Sequence, residues 1–276
     1  PERSTLEELR DHGFSEAFID QFFRPFLGGV FLERALETSA SLFRYYFRCF
    51  AAGDAAVPAA GMQRLPELLA RPLDGRVRLG TTVRAASNGR VILDDGTTIE
   101  ADHIVLAADA PSAADLTGAE APDFKATVTA YFDAPTPPID EGLLVLDGEG
   151  LGPANHVAVM SNVAEEYAPA GRHLVAVSGV DGAADDPDGF PDASRRQLKR
   201  WFGTGVDAWE HLRTYRIPHA LPRHPAGFAE ARPASRTASG LWVTGDYADF
   251  GAIQGALRSG RTVAETMHET AHAAQA

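Results

Sequence analysis

The stretch GLWVTGDYADFGAIQGALRSG, residues 240–260, carries the clearest structural pattern in the sequence. It begins with an apolar run, Gly240 to Thr244, of the kind that forms a buried strand. Gly245-Asp246 and a short loop follow, after which apolar residues recur at helical spacing from Ile253 to Met267. The pattern predicts a strand, a turn and a long amphipathic helix.

This turn has the features of a ligand site. Gly245 allows a ligand to approach the backbone, and Asp246 can accept hydrogen bonds from sugar-type hydroxyls. A helix opening near Gly251 presents unpaired N–H groups and the positive end of its dipole, which would stabilise negative charge on a bound ring. The neighbouring small residues leave room for a flat ligand. In the alternative interpretation, Asp246 only caps a turn and the small residues only pack the helix. The residues alone leave both interpretations open.

The first fifty residues read as helices. Capping residues predict helix starts at Ser4 or Thr5, at Ser15, and at Thr38 or Ser39, with Pro25 and Gly28-Gly29 ending the second helix. The aromatic third helix is either a core helix or the wall of an apolar pocket.

From residue 77 the pattern alternates as strands do. Turns at Asn88-Gly89 and Asp95-Gly96 predict hairpins, and the apolar run 103–108 predicts a buried, parallel strand. The remaining predictions are a short helix near 65–69, strands at 77–79, 82–86, 90–93, 97–100, 126–132, 142–146, 156–160, 173–178 and 209–217, and a helix at 192–202. They indicate an α/β (α+β) chain with a largely antiparallel middle sheet.

Composition excludes several classes of protein. The 276 residues are 45% apolar and 23% charged, with 25 Lys and Arg against 38 Asp and Glu, a net charge of −13. This balance argues against a protein that coats nucleic acid or anionic lipid. No run approaches the roughly 18 apolar residues that a membrane span needs. The single cysteine, Cys49, excludes a disulfide framework and suits the cytoplasm.

Two short motifs are rejected. His268-Glu269-Thr270-Ala271-His272 fits the zinc pattern H-E-x-x-H, but only four residues follow it here, so we expect a solvated helix tail without a third ligand. The run 203–208 fits G-x-G-x-x-A, yet it follows a predicted helix and precedes a predicted strand, the reverse of a dinucleotide fingerprint.

The 240–260 unit resembles the flavoprotein family of amine oxidases, phytoene desaturases and protoporphyrinogen oxidases. Those proteins end with a strand, Gly-Asp or Gly-Glu, a loop, and a helix opening like Gly-Ser-Ile-x-Gly-Ala. Pro58-Ala59-Ala60-Gly61-Met62 is similar to the family's Pro-x-Gly-Gly-Met, and the segments around Thr82-Val83, Asp95-Gly96 and 101–107 look like its FAD domain.

The resemblance implies the C-terminal part of a glutathione-reductase-like FAD domain plus a mixed-sheet and helical substrate domain. Its implied segments are 1–57 (substrate-domain helices), 58–110 (FAD domain), 111–235 (substrate-domain sheet) and 236–276 (FAD-domain strand and helix). The glycine-rich nucleotide loop is absent, so the N-terminal FAD-binding half is implied to be missing, cleaved or supplied by a second chain in a heteromer.

The resemblance also implies site residues for a non-covalent FAD. Asp246 would bind the ribityl or phosphate linker, the N–H groups of Ile253 and Gln254 would face the flavin N1–C2=O edge, and the Val83 backbone would meet the adenine. The full implied set is Val83, Gly245, Asp246, Gly251, Ala252, Ile253, Gln254 and Ala256. Candidate substrate-pocket residues are Tyr45, Tyr46 and Tyr215, and no acid, base or metal ligand is assigned.

Two positions depart from the pattern of the amine oxidases. The C-terminal aromatic of the amine-oxidase cage falls at Ala252, and the active-site lysine falls near Thr127, with Lys125 two residues away on the same strand face. These changes favour the desaturase-like branch.

Three hypotheses follow. The first is an FAD-dependent oxidoreductase that takes a hydride from an apolar or amine substrate. The second is a non-catalytic subunit that keeps the fold and binds a partner protein. The third is zinc hydrolysis through His268 and His272.

Overall fold

The computed structural model of the chain describes residues 2–228 and 234–273. Its helices are α1 (Thr5–Asp11), α2 (Glu16–Phe18), α3 (Arg24–Phe31), α4 (Ala40–Ala52), α5 (Arg64–Ala70), α6 (Ala110–Thr117), α7 (Met160–Val163), α8 (Phe190–Phe202) and α9 (Ile253–Ala273). Its strands are β1 (Val83–Ser87), β2 (Arg90–Leu93), β3 (Thr98–Glu100), β4 (Val105–Leu106), β5 (Phe124–Ala134), β6 (Leu144–Leu146), β7 (His156–Val159), β8 (His173–Val180), β9 (Glu210–Pro222) and β10 (Trp242–Val243). In this part of the chain, no helix is long and apolar enough to cross a membrane.

The chain divides into two compact units. The first comprises Pro1–Pro72 and Phe124–Leu221, and the second comprises Leu73–Asp123 and Pro222–Ala276. The sequence places the divisions at 57/58, 110/111 and 235/236 instead. Helix α5 therefore belongs to the first unit, although the implied segment 58–110 contains it. Helix α6 belongs to the second unit, where it packs against β1. The predicted segments also reach residues 229–233 and 274–276, which lie outside the described residues. Assignment of the units to substrate and FAD domains stays a prediction.

The first unit is built on a five-stranded sheet in the order β6-β7-β8-β5-β9. The β6–β7, β7–β8 and β8–β5 pairs are antiparallel, which confirms the predicted sheet. Alternate residues of β5 point inward, from Val128 to Ala134, and pack with Val177 of β8 and with Phe190 and Leu198 of α8. The amphipathic α8 therefore closes one face of the sheet.

The helical start of the first unit corrects one prediction. Ser4 and Ser39 cap α1 and α4 as expected. Pro25 and Gly28-Gly29, however, do not end a helix, because the chain stays helical from α2 through a π-helical turn (Ile19–Phe23) into α3. Pro25 lies in the first turn of α3, where its missing N–H is tolerated. A Cβ at Gly29 would lie 2.9 Å from His156 Nδ1, so the glycine permits close packing against β7.

The second unit contains an antiparallel meander and a parallel strand pair. β1, β2 and β3 pair in sequence order, with Gly89 and Gly96 at positive φ in the two predicted turns. The predicted strand at 77–79 is wrong, because Val77 and Leu79 are exposed and form no strand. β4 and β10 pair in parallel over a core of Ile104, Leu106 and Leu241, as predicted.

Candidate functional site

The turn after β10 is built around Asp246. Gly245 precedes it, and a Cβ at Gly245 would lie 2.3 Å from Tyr247 Cε1, so glycine allows the Tyr247 ring to fold back over the turn. Asp246 Oδ1 accepts the Tyr247 N–H at 2.8 Å. Burial raises the pKa of the Asp246 carboxyl, while that backbone hydrogen bond opposes the shift. Asp246 thus offers a half-buried carboxylate that retains further acceptor capacity.

The entry to α9 is held by a histidine. The Gly251 N–H donates to Nε2 of His224 at 2.7 Å. His224 is buried and stacks on Phe228 with a centroid separation of 4.5 Å. Since Nε2 accepts a hydrogen bond, the His224 imidazole is neutral and carries its proton on Nδ1.

The first turn of α9 remains accessible. Because His224 engages the Gly251 N–H, that donor is not available to a ligand. The side chains of Ile253 and Gln254 are exposed, and N–H groups in the first turn of a helix lack partners within the helix. The N–H groups at these two positions are therefore candidate donors to a ligand.

The small residues at the start of α9 have different roles. A Cβ at Gly255 would lie 1.9 Å from the Phe250 carbonyl oxygen, so glycine is needed there for packing. Gly251 is also buried, whereas Ala252 is partly exposed and Ala256 is exposed. Of these four small residues, Ala252 and Ala256 are therefore the two that leave surface for a flat ligand to cover.

Two buried donors near the turn have no hydrogen-bond partner among the described residues. They are the Tyr247 hydroxyl and the Trp242 Nε1–H. Burial, followed by the charges of Asp246 and Asp109, raises the pKa of Tyr247 to about 12. Tyr247 therefore stays protonated at neutral pH and keeps an O–H to donate.

A cleft of about 440 Å³ adjoins Tyr247 and His224. None of the eight predicted cofactor residues lines it. Its walls are formed by Glu120, Ala121, Pro122, Asp123, Pro222, Arg223, His224, Pro225, Phe228, Tyr247 and Asp249. Asp249 in turn forms an ion pair with Arg258 of α9, so this wall is tied to the same helix.

Val83, the predicted adenine contact, begins β1 and pairs with Leu93 of β2. Its side chain is 37% exposed. In this same unit, the Thr82 carbonyl accepts the Asp94 N–H at 3.1 Å.

The three predicted pocket tyrosines lie in the first unit, two on α4 and one on β9. Tyr45 and Tyr46 are neighbours on α4, with ring centroids 5.4 Å apart. Tyr215 lies on β9, 6.0 Å from the ring of Tyr131, with the Arg213 guanidinium 5.2 Å from its own ring centroid. The ring of Tyr215 thus contacts a residue of the sheet, whereas the rings of Tyr45 and Tyr46 contact residues of the helices.

Lys125 is engaged in a buried polar cluster. Its Nζ donates to Thr38 Oγ1 at 2.7 Å and lies 3.4 Å from Glu33 Oε1, and both charged side chains are 5% exposed. The Thr127 hydroxyl donates to the Gly179 carbonyl at 2.9 Å. Neither residue presents a free amine or base to a substrate in this structure.

Sequence reasoning missed His224 and Tyr247. The available signal was a histidine in a Pro-rich loop just ahead of the C-terminal strand, but its contact with Gly251 spans 27 residues of sequence. His268 and His272 lie on the later turns of α9, and the described residues contain no group of three metal-ligating side chains.

Comparison with known proteins places these features in context. A family model described as flavin containing amine oxidoreductase matches residues 2–268. No curated protein sequence matches the chain significantly.

Several solved structures share the fold. An oxidoreductase from Methanosarcina mazei aligns with a TM-score of 0.76 and 19% identity, over 96% of this chain and 68% of that one. A putrescine oxidase redesigned in its cofactor binding aligns with a TM-score of 0.69 and 15% identity, over 97% and 68%. Reduced UDP-galactopyranose mutase aligns with a TM-score of 0.56 and 14% identity, over 84% and 57%. At these identities the likeness shows the fold alone.

Proposed function

The chain belongs to the flavin-containing amine oxidoreductase family, and from that membership we propose that it forms the cofactor-orienting part of an FAD-dependent oxidoreductase. The reaction removes a hydride from an apolar or amine substrate. O₂ or another acceptor then reoxidises the cofactor. When bound, FAD supplies the redox chemistry, and the protein supplies binding, orientation and electrostatics.

The observation that carries the proposal is the position of Asp246 in the turn that leads from β10 into α9. A ribityl chain offers hydroxyl donors, which the Asp246 carboxylate would accept. The flavin pyrimidine edge offers acceptors, which the N–H groups of Ile253 and Gln254 would meet. The Tyr247 hydroxyl adds a buried donor that lacks a partner among the described residues. Donors and acceptor therefore complement this part of FAD.

The positive end of the α9 dipole would stabilise negative charge that accumulates on the bound ring during hydride transfer. His224 supports this arrangement because it fixes the Gly251 N–H ahead of the first turn. Cys49, the only cysteine in the sequence, lies on α4, so the turn between β10 and α9 itself contains no thiol for a covalent flavin link.

We propose that a nucleotide-binding half, on another segment or a second chain, completes the second unit. Among the described residues, β4 and β10 form a sheet of only two parallel strands. Parallel sheets are normally larger and covered on both faces. Val105 of β4 is nevertheless 41% exposed, and other apolar side chains of this unit are also exposed: Val77, Leu79, Val83, Ile253 and Leu257. An added βαβ unit would cover such surface and bring a helix terminus for the pyrophosphate.

Two observations favour the alternative, a non-catalytic subunit. The Lys125 amine is held in a buried ion pair with Glu33, and Ala252 occupies the position at which amine oxidases have the C-terminal aromatic residue of their cage. The net charge of −13 argues against nucleic acid as the partner of either form, and the single cysteine is in keeping with a cytoplasmic location.

The two functions are separated by anaerobic mixing of the FAD-loaded complex with amines and with apolar substrates. For the oxidoreductase we expect substrate-dependent bleaching of the flavin absorption, restored by an electron acceptor. A complex that holds FAD in full and is bleached by dithionite, but by no substrate of either class, would support the scaffold.

A further inference from the structure

The later turns of α9 carry two histidines whose ring nitrogens converge. His268 and His272 are four residues apart and therefore lie on one face of the helix. Their Nε2 atoms are 3.1 Å apart, and their rings are nearly perpendicular at 87°. Both side chains are exposed. The pair is thus open to solvent, and its two Nε2 atoms are close enough to contact a single ion.

This separation matches a chelate. Two imidazole nitrogens bound at 2.0–2.1 Å to one ion, at angles between square and tetrahedral, lie roughly 2.8–3.4 Å apart. The same contact would also suit a hydrogen bond between two neutral rings, so the distance must be weighed with the surroundings.

The surroundings favour a cation. The pair lies in the C-terminal half of a 21-residue helix, toward the negative end of its dipole. Glu265 lies one turn earlier and Glu269 is adjacent in sequence. The nearest cationic residue along the helix, Arg261, pairs with Glu265 at 3.6 Å.

We propose that His268 and His272 form a two-ligand site for a divalent transition-metal ion, with solvent filling the remaining positions. No third His, Cys, Asp or Glu in the described residues completes the set, so the site lacks the closed ligand shell of a structural zinc centre. Imidazole ligands favour Cu²⁺ over Ni²⁺ and Zn²⁺, and exclude Mg²⁺ and Ca²⁺.

The site is separate from the proposed flavin chemistry. Fifteen residues separate His268 from Ile253, which is about 22 Å along the helix. A metal ion here would cross-link adjacent turns and stabilise the end of α9 by binding the folded helix. Metal binding at this pair therefore does not depend on the proposed flavin chemistry.

The test is a Cu²⁺ titration of the full chain at pH 7.5, followed by calorimetry and by electron paramagnetic resonance. We expect one tight Cu²⁺ with hyperfine coupling to two imidazole nitrogens. His268→Gln and His272→Gln should each lose the second nitrogen and bind about tenfold or more weakly, because the chelate is broken. Binding should also fall at pH 5.5, since protons compete for the ligands.

A composition-matched variant gives the sharpest control. The exchange Thr270→His with His272→Thr keeps the number of histidines but moves one to i+2, where it faces away from His268. His103→Gln removes an exposed histidine elsewhere. We expect the exchange to lose the two-nitrogen signal and His103→Gln to keep it. Two-nitrogen binding that survives the exchange, or no binding by the unaltered chain, would overturn the proposal.

Discussion

His156 shows how one residue's surroundings decide its charge. Asn155 Nδ2 donates both to the Pro25 carbonyl at 2.8 Å and to His156 Nδ1 at 3.1 Å. His156 therefore acts as an acceptor and is neutral. Gly29 brings the backbone of α3 against the same ring, and burial lowers the pKa of His156 from 6.5 to about 4.

This shift predicts a pH-dependent stability. Between pH 6.5 and pH 4 the unfolded chain binds a proton at this position that the folded chain does not, so the free energy of unfolding falls as the pH falls. A shift of this size corresponds to at most about 3 kcal/mol. In His156→Gln the fall should be smaller by up to that amount, as measured by urea unfolding at pH 7.5 and pH 4. His103→Gln is the matched control, and an unchanged pH dependence in His156→Gln would show that the ring is not held neutral.

At the scale of elements, the entry to α9 depends on a glycine that helix propensity alone would disfavour. A Cβ at Gly255 would meet the Phe250 carbonyl oxygen, whereas a Cβ at Gly260, on the same helix, would lie 3.8 Å from Thr244 Oγ1, an ordinary contact. The two positions differ in their surroundings but share the same secondary structure.

We expect Gly255→Ala to lower the free energy of unfolding by about 1–3 kcal/mol, because the Phe250 turn must move. Gly260→Ala should leave it unchanged or raise it by up to about 1 kcal/mol, since alanine is the better helix former. Chemical denaturation of both variants measures the difference. Equal effects at the two sites would mean that the close approach at Gly255 does not constrain the helix.

Local patterns predicted the elements whose signals lie within a few residues of sequence. The structure confirms three such predictions: the amphipathic helix α9, the Asn-Gly and Asp-Gly turns, and the helix caps at Ser4 and Ser39. Pro25 and Gly28-Gly29 were misjudged because their role depends on Asn155 and His156, more than a hundred residues away. The strand expected at 77–79 failed because an alternating pattern forms a strand only beside a partner.

At the scale of the whole molecule, the same limit applies to the site. Asp246 and the start of α9 at Ile253 are only seven positions apart in sequence, so a local motif was enough to propose them. The contact of His224 with Gly251, the burial of the Tyr247 hydroxyl and the pairing of Lys125 with Glu33 arise from the tertiary fold. No local pattern carries such contacts, which is why the sequence left packing and ligand-binding interpretations of the small residues unresolved.

Whether Asp246 holds FAD is tested by an equilibrium FAD titration of this chain combined with the proposed nucleotide-binding half. We expect one FAD per complex, released intact on denaturation. Asp246→Asn should raise the FAD Kd about 10- to 100-fold, the value of a hydrogen bond to a charged group, while the exposed Asp102→Asn leaves it unchanged. A folded complex that binds no FAD, or binds it equally well with Asp246→Asn, would contradict the account.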